Sequence, residues 1–192
     1  MADLAKTTRL QAINSMLSAI GESPVNSLDS TATADVALAQ HILDEVLRDL
    51  MTRQWSWNYL WNQTLQKDSD GYIAVPANWA AVDHDTYDYI EKGGYLYDQE
   101  NETDVFTSDV TGLKATVMLD WDDMPQAARQ YAVVRASRIF VNRHGGSPEA
   151  VGPYTAADER TAWNLLQEFE GEQADFNIFK NPDIMPGLRR SL

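Results

Sequence analysis

The sequence contains no cysteine, which excludes a disulfide framework and a cysteine-ligated zinc site. Basic residues are scarce: 15 Lys and Arg stand against 29 Asp and Glu, a net charge of −14. A field of that sign repels phosphate, which argues against tight non-specific binding of DNA or RNA and against docking on an anionic membrane. Long hydrophobic runs are missing too, since no segment approaches the roughly 18 apolar residues a membrane helix needs. Met1-Ala2-Asp3-Leu4-Ala5-Lys6 lacks the basic and apolar regions of a signal peptide. There is no internal repeat and no low-complexity segment. The expectation is a chain made in a cytoplasm, remaining soluble there or assembled into something there, with no membrane partner.

What is present is a globular composition: 192 residues, 44% hydrophobic, with six Trp and eight Tyr. That length suits one domain, or one core with an elaborated insertion. Leu10, Ile13, Leu17 and Ile20 recur at helical spacing, with Met16 beside them, predicting a first helix from about Leu4 to Ile20. Gly21 is placed to end it in a left-handed cap, and Pro24 biases Ser23 away from helix. Ser30 or Thr31 is suited to open a second helix whose inward stripe is Val36, Ala39, Leu43, Val46, Leu47 and Leu50. Alanines 32, 34, 37 and 39 keep its first half slim, so another backbone can approach closely. The two helices and their Gly-Pro join read as an αα-hairpin with Gly21 and Pro24 as its structural hinge.

The period then changes. Trp55-Ser56-Trp57-Asn58-Tyr59 alternates aromatic and polar, the pattern of a half-buried strand. Short β-prone pieces follow at Tyr72 to Val75 (ended by Pro76), Tyr87 to Ile90, Tyr95 to Tyr97, Val105-Phe106 and Ala115 to Leu119. Glu91-Lys92-Gly93-Gly94 reads as a hairpin turn, because glycine accepts the positive φ of tight turns. Aromatic residues are expected to supply much of the packing in this antiparallel region.

Helices return after Trp121-Asp122-Asp123-Met124-Pro125, where the acidic pair favours a helix N-terminus and Pro125 suits the first turn. Tyr131, Val134, Ile139 and Phe140 form the stripe of this third helix, ended by Gly145-Gly146. A fourth starts near Thr155, where Asp158 three residues on resembles a capping box, and carries Trp163, Leu165, Leu166 and Phe169. From about Gly171 periodicity fades. The expected class is α+β: a bundle of about four helices, an N-terminal αα-hairpin plus two later ones, with an inserted small antiparallel β domain and an extended C-terminal tail. The corresponding segments are 1–54 with 122–170 for the bundle, 55–121 for the β region and 171–192 for the tail.

Catalytic and metal chemistry find little support. His41 is a lone helical histidine, and His144 sits where a helix C-terminus favours a cation. Asp83-His84-Asp85 has ligand-type residues, but strand alternation puts Asp83 and Asp85 on one face and His84 on the other. A glycosidase pair is specified by spatial separation and one raised pKa, so nominating Glu22, Asp122 or Asp123 carries no weight. No Gly-x-Ser-x-Gly occurs, and neither Gly-Gly pair has phosphate-loop spacing. The expectation is no catalytic residue, no metal and no cofactor. Stacking of glycans or bases on the Trp and Tyr residues is weighed against a core built of large aromatics, which is favoured. The tail residues Phe176, Ile178 and Phe179 have no periodicity of their own, so they gain order by packing on another chain or form a floppy terminus.

Ile20-Gly21-Glu22-Ser23-Pro24-Val25 and Arg53-Gln54-Trp55-Ser56-Trp57-Asn58 resemble the tail tubular protein A family, the head-to-tail adaptors of short-tailed bacteriophages. Further matches are Gly93-Gly94-Tyr95-Leu96-Tyr97-Asp98, Asp123-Met124-Pro125, Arg135-Ala136-Ser137-Arg138, Phe140 and Asn142-Arg143. They run in order from about Ile13 to Glu149, with Leu60 to Asp88 matching least. The resemblance implies a non-enzymatic virion protein at the head–tail junction, made in the bacterial host cytoplasm. It implies a homo-oligomeric ring, a dodecamer, between the portal protein and the tail nozzle (tail tubular protein B), with tail fibres attached. DNA passes through the channel without specific binding. The helices build the ring wall, and the β region faces the tail side. The C-terminal segment, with Phe176, Ile178, Phe179, Arg189 and Arg190, reaches toward the portal. Ala32 and Ala39 are then candidates for helix packing or a ring seam. The rival readings are a tail-borne peptidoglycan or glycan hydrolase and a host glycan-binding module.

Overall fold

The computed structural model describes residues 5–29, 33–144 and 154–173. Helix α1 spans Arg9–Ala19 and α2 Ala34–Met51. Five strands follow: β1 Tyr59–Leu65, β2 Trp79–His84, β3 Tyr89–Lys92, β4 Tyr95–Asp98 and β5 Val110–Val117. A 3₁₀ turn, Trp121–Asp123, leads into α3 Gln126–Arg143, and α4 spans Ala156–Gln173. The architecture is α+β, four helices with small antiparallel sheets.

Helix α1 begins later than the periodicity suggests, because Thr8 caps it. The Thr8 hydroxyl accepts from Gln11 N–H, and the Gln11 side chain accepts from Thr8 N–H. Two orphan donors are thereby satisfied. At the other end Gly21 adopts φ +83°, Glu22 N–H donates to Leu17 O and Gly21 N–H donates to Ser18 O. That pair of bonds is a Schellman motif, which only a residue tolerant of positive φ closes cheaply. The loop beyond Pro24 is tied back by Asn14, whose amide accepts from Val25 N–H at 2.8 Å and donates to Val25 O at 2.9 Å. Helix α2 is capped by Thr33 rather than by Ser30 or Thr31, which lie outside the described residues.

Helix α3 is the central one, packed on α1, α2 and α4. The stripe of α2, Val36, Ala39, Leu43, Val46, Leu47 and Leu50, is buried against it, together with Ile13, Met16 and Leu17 of α1. Phe140 of α3 is fully buried, and truncation of such a side chain typically costs about 3–5 kcal/mol. Pro125 sits at the N-cap of α3 rather than in its first turn, and Asp122 and Asp123 lie on the 3₁₀ turn. Arg129, only 3% exposed, fastens that entry. It donates to the carbonyls of Met124, Asp122 and Thr7 at 3.1, 2.6 and 2.7 Å. The capping box at Thr155 and Asp158 forms, and α4 continues through Gly171 to Gln173. Ala162 and Leu166 are its buried residues, whereas Leu165 is 54% exposed and lies off the apolar face.

The β region differs from its reading in several places. Trp55–Asn58 is a turn, not a strand, because Asn58 is buried there. Its side chain accepts from Trp55 N–H and donates to the carbonyls of Met51, Arg53 and Val117. Pairing starts only at Tyr59. The piece from Tyr72 to Val75 makes a single bridge, Ala74 with Tyr95, and Val105-Phe106 is irregular. Strands β1 and β2 instead flank β5, giving a three-stranded antiparallel sheet in the order β1-β5-β2. Strands β3 and β4 form a hairpin whose two-residue turn, Gly93-Gly94, has φ +64° and +89°, matching the twist of the flanking strands.

Two hydrophobic cores result among the described residues. The smaller one, in the β region, is mainly aliphatic: Ile73, Val75, Leu96, Val110 and Leu113. Trp79, Tyr89 and Phe106 pack against it, so the expected aromatics contribute from its margin. Trp55 and Trp121 are buried in the helical core, Trp57 and Trp163 pack against it, and Trp61 is 63% exposed.

Candidate functional site

Two concave sites stand out, one on each core. The first is a groove of about 460 Å³ lined by Arg53, Tyr131, Arg135, Arg138, Glu159 and Trp163, with Ala156 and Arg160. Arg135 and Arg138 are one helical turn apart on α3 and so share a face. Arg53 follows α2, and Arg160 comes from α4. Arg138 pairs with Glu159, while Arg135 donates to Asp49 at 2.9 Å and to the Tyr131 hydroxyl at 3.1 Å. The Arg53 guanidinium lies over the Trp163 ring at 5.0 Å, and Tyr131 meets the same ring at 5.0 Å. The floor is thus aromatic and the rim cationic.

The second is a cleft of about 420 Å³ at the β region, lined by His84, Tyr87, Tyr89, Asp98, Asn101 and Phe106 among others. Tyr87 and Tyr89 stack at 5.4 Å and 24°, and His84 approaches them at 5.0 and 5.5 Å. Burial pushes the Tyr89 phenol above its ordinary value of 10.0. Asp98 is buried and accepts from Asn101 N–H and the Asn101 amide, which holds its carboxyl below the ordinary 3.8. A glycosidase acid needs the opposite shift. Glu45, hydrogen-bonded by Arg143, and Asp158, hydrogen-bonded by Thr155, are lowered as well.

Around Asp83-His84-Asp85 the three side chains go to separate partners. Asp83 accepts from His84 N–H, Asp85 pairs with Lys114, and His84 Nδ1 accepts from the N–H groups of Thr86 and Tyr87. Among the described residues no group of three or more His, Cys, Asp or Glu is placed to hold a metal ion. His41 is exposed on α2, and His144 caps α3 with Nδ1 3.4 Å from Asp35. No helix of the described residues is long and apolar enough to cross a membrane.

Of the interface candidates, Ala39 is fully buried inside the helical core, and Ala34 and Ala37 are exposed. Gly21 and Pro24 lie at the α1–α2 join as described. Ala32, Phe176, Ile178, Phe179, Arg189 and Arg190 lie outside the described residues, as do Gly145 and Gly146. Sequence reasoning singled out neither Arg53 nor Arg160 as a site residue. The Arg135–Arg138 spacing was the one local signal of the groove, because its other walls come from distant segments.

Comparison with curated proteins gives no match. The sequence model of one family, described as Tube: Tail tubular protein, matches residues 10–176 of the 192. That span takes in the four described helices except Arg9 at the start of α1, both sheets and both concave sites. The chain belongs to the tail tubular protein family and is a structural protein of the bacteriophage tail.

Proposed function

We propose that the chain is the head-to-tail adaptor of a short-tailed phage. It forms a ring, a dodecamer, between the portal and the tail nozzle, conducts DNA at ejection and carries the tail fibres. The observation behind this reading is the family match over residues 10–176, added to the ordered motifs that resemble tail tubular protein A. The described architecture is compatible with it. A four-helix body packed around α3 can serve as a wall segment, and closed cyclic symmetry leaves no open end. Twelve copies at −14 would carry about −170, and an acidic bore would let DNA slide rather than stick.

In this proposal 1–54 and 122–170 form the wall and 55–121 the tail-side insertion. The tail residues Phe176, Ile178, Phe179, Arg189 and Arg190 meet the portal. Helix α4 reaches Gln173, so the segment free for that contact starts three residues later than periodicity suggests. Mass photometry of the purified chain, with and without purified portal, tests the reading. Ring-sized particles are expected, and a chain that stays monomeric even with portal present contradicts it.

One observation favours a second role for the β region: the cleft in which Tyr87 and Tyr89 stack beside hydrogen-bonding groups suits a sugar face. Binding of host surface polysaccharide that saturates, and that Tyr87→Ala abolishes, would support it. Identical weak binding by both proteins would remove it.

A further inference from the structure

Four of the chain's 15 Lys and Arg residues, Arg53, Arg135, Arg138 and Arg160, converge on the groove between α2, α3 and α4. Only Glu159 opposes them in its lining, with Asp49 alongside. Arg53 and Arg160 are exposed, and among the described residues neither has a carboxylate partner. The rest of the molecule is charged the other way. Between Tyr59 and Leu119 the only cations are Lys67, Lys92 and Lys114, against eleven Asp and Glu. Glu100, Glu102 and Asp104 of that region are all exposed. The groove is therefore a positive island on a protein of net charge −14.

We propose that this groove is where one copy of the chain grips a carboxylate-bearing face of the next copy. The inference rests on the ring reading and specifies the contact that closes it. Subunits of charge −14 repel one another, so a contact between copies is favoured where it includes the positive locus. Groove against groove would set arginine against arginine, which disfavours a two-fold pair. Groove against an acidic face elsewhere on the subunit is a heterologous contact, and heterologous contacts that close generate rings. Trp163 and Tyr131 supply the aromatic floor, and Arg, Trp and Tyr are the residues that dominate interface energetics. A DNA duplex fits less well. Two guanidinium groups without a carboxylate partner, inside a repelling surface, are few, since duplex binding draws on contacts to many phosphates.

The test compares the full-length protein with R53E/R160E and with R53K/R160K, mixed with purified portal and followed by mass photometry, after circular dichroism has shown each to be folded. Wild type and R53K/R160K should form rings at similar concentrations. R53E/R160E should stay monomeric, or need roughly tenfold or more protein to reach half assembly. If the double variant fails to fold, R160E alone on the exposed side of α4 carries the same readout.

A folded R53E/R160E that assembles as wild type does overturns the groove contact and leaves the ring intact. A wild type that never assembles overturns the ring reading and this inference with it. Unchanged self-assembly with loss of portal capture, or with loss of binding to a labelled DNA duplex by anisotropy, would reassign the groove and overturn the proposal.

Discussion

Asn58 and Val117 hold each other twice. Val117 N–H donates to Asn58 O at 2.8 Å, and the Asn58 amide donates to Val117 O at 3.2 Å. The same amide nitrogen reaches Met51 O at 2.9 Å, so one fully buried side chain joins the end of α2, the turn after it and the last strand. It is the point where the helical body and the β region are fastened.

Asn58→Ala leaves those carbonyls and the Trp55 N–H without their side-chain partner at a buried position. The expected loss is about 2–4 kcal/mol of stability, by analogy with other buried unsatisfied polar groups. Urea denaturation should show a lower midpoint with an unchanged slope. A midpoint within error of wild type would mean that the turn is held by other contacts.

Gly21→Ala isolates backbone conformation from packing, since an added Cβ at Gly21 meets no atom within 4 Å while φ stays at +83°. A cost of about 1 kcal/mol is expected, from left-handed backbone strain alone. A neutral thermal melt would show that the α1–α2 join relaxes to negative φ.

The acid limb of the stability profile follows from Asp98. Its folded pKa lies below the ordinary 3.8, because the Asn101 side chain and N–H bond the ionised form. A depressed folded pKa means that the contribution is fully present above the unfolded value. It is lost as pH falls through the folded value. Asp158 and Glu45 act in the same direction from exposed positions. Chemical denaturation as a function of pH should show stability falling below about pH 4, and Asp98→Asn should flatten that fall. Parallel acid limbs for variant and wild type would assign the loss to other groups.

Truncation after Gln173 probes the tail. The cut spares Glu170, whose carboxylate accepts from Ser56 N–H at 2.6 Å and from the Ser56 hydroxyl at 2.9 Å, tying α4 to the turn after α2. Circular dichroism should be unchanged while capture by immobilised portal weakens. A collapse in melting temperature would make residues 174–192 part of the fold rather than a contact arm.

Features specified by neighbours in sequence were legible. Gly21 as a left-handed cap, Gly93-Gly94 as a hairpin turn and Thr155–Asp158 as a capping box each depend on a span of a few residues. Features specified at a distance were not. Trp55 and Trp57 alternate like a strand, yet both turn onto the helical core because Asn58 finds its partners at Met51 and Val117. Strand β2 was missed because its partner β5 lies some thirty to forty residues on, from His84↔Leu113 to Trp79↔Val117, and closes the ladder only in three dimensions. The groove shows the same limit: Arg135 and Arg138 are visible as a pair, but Arg53, Arg160 and Trp163 join them only once α2, α3 and α4 have packed.

The central claim is that this tail tubular protein acts as a closed ring on the portal. Electron-microscope class averages of the purified chain incubated with purified portal test it most directly. A twelve-fold ring of extra density seated on the tail-side face of the portal is the expected result. Bare portal rings beside unassembled monomers would contradict it.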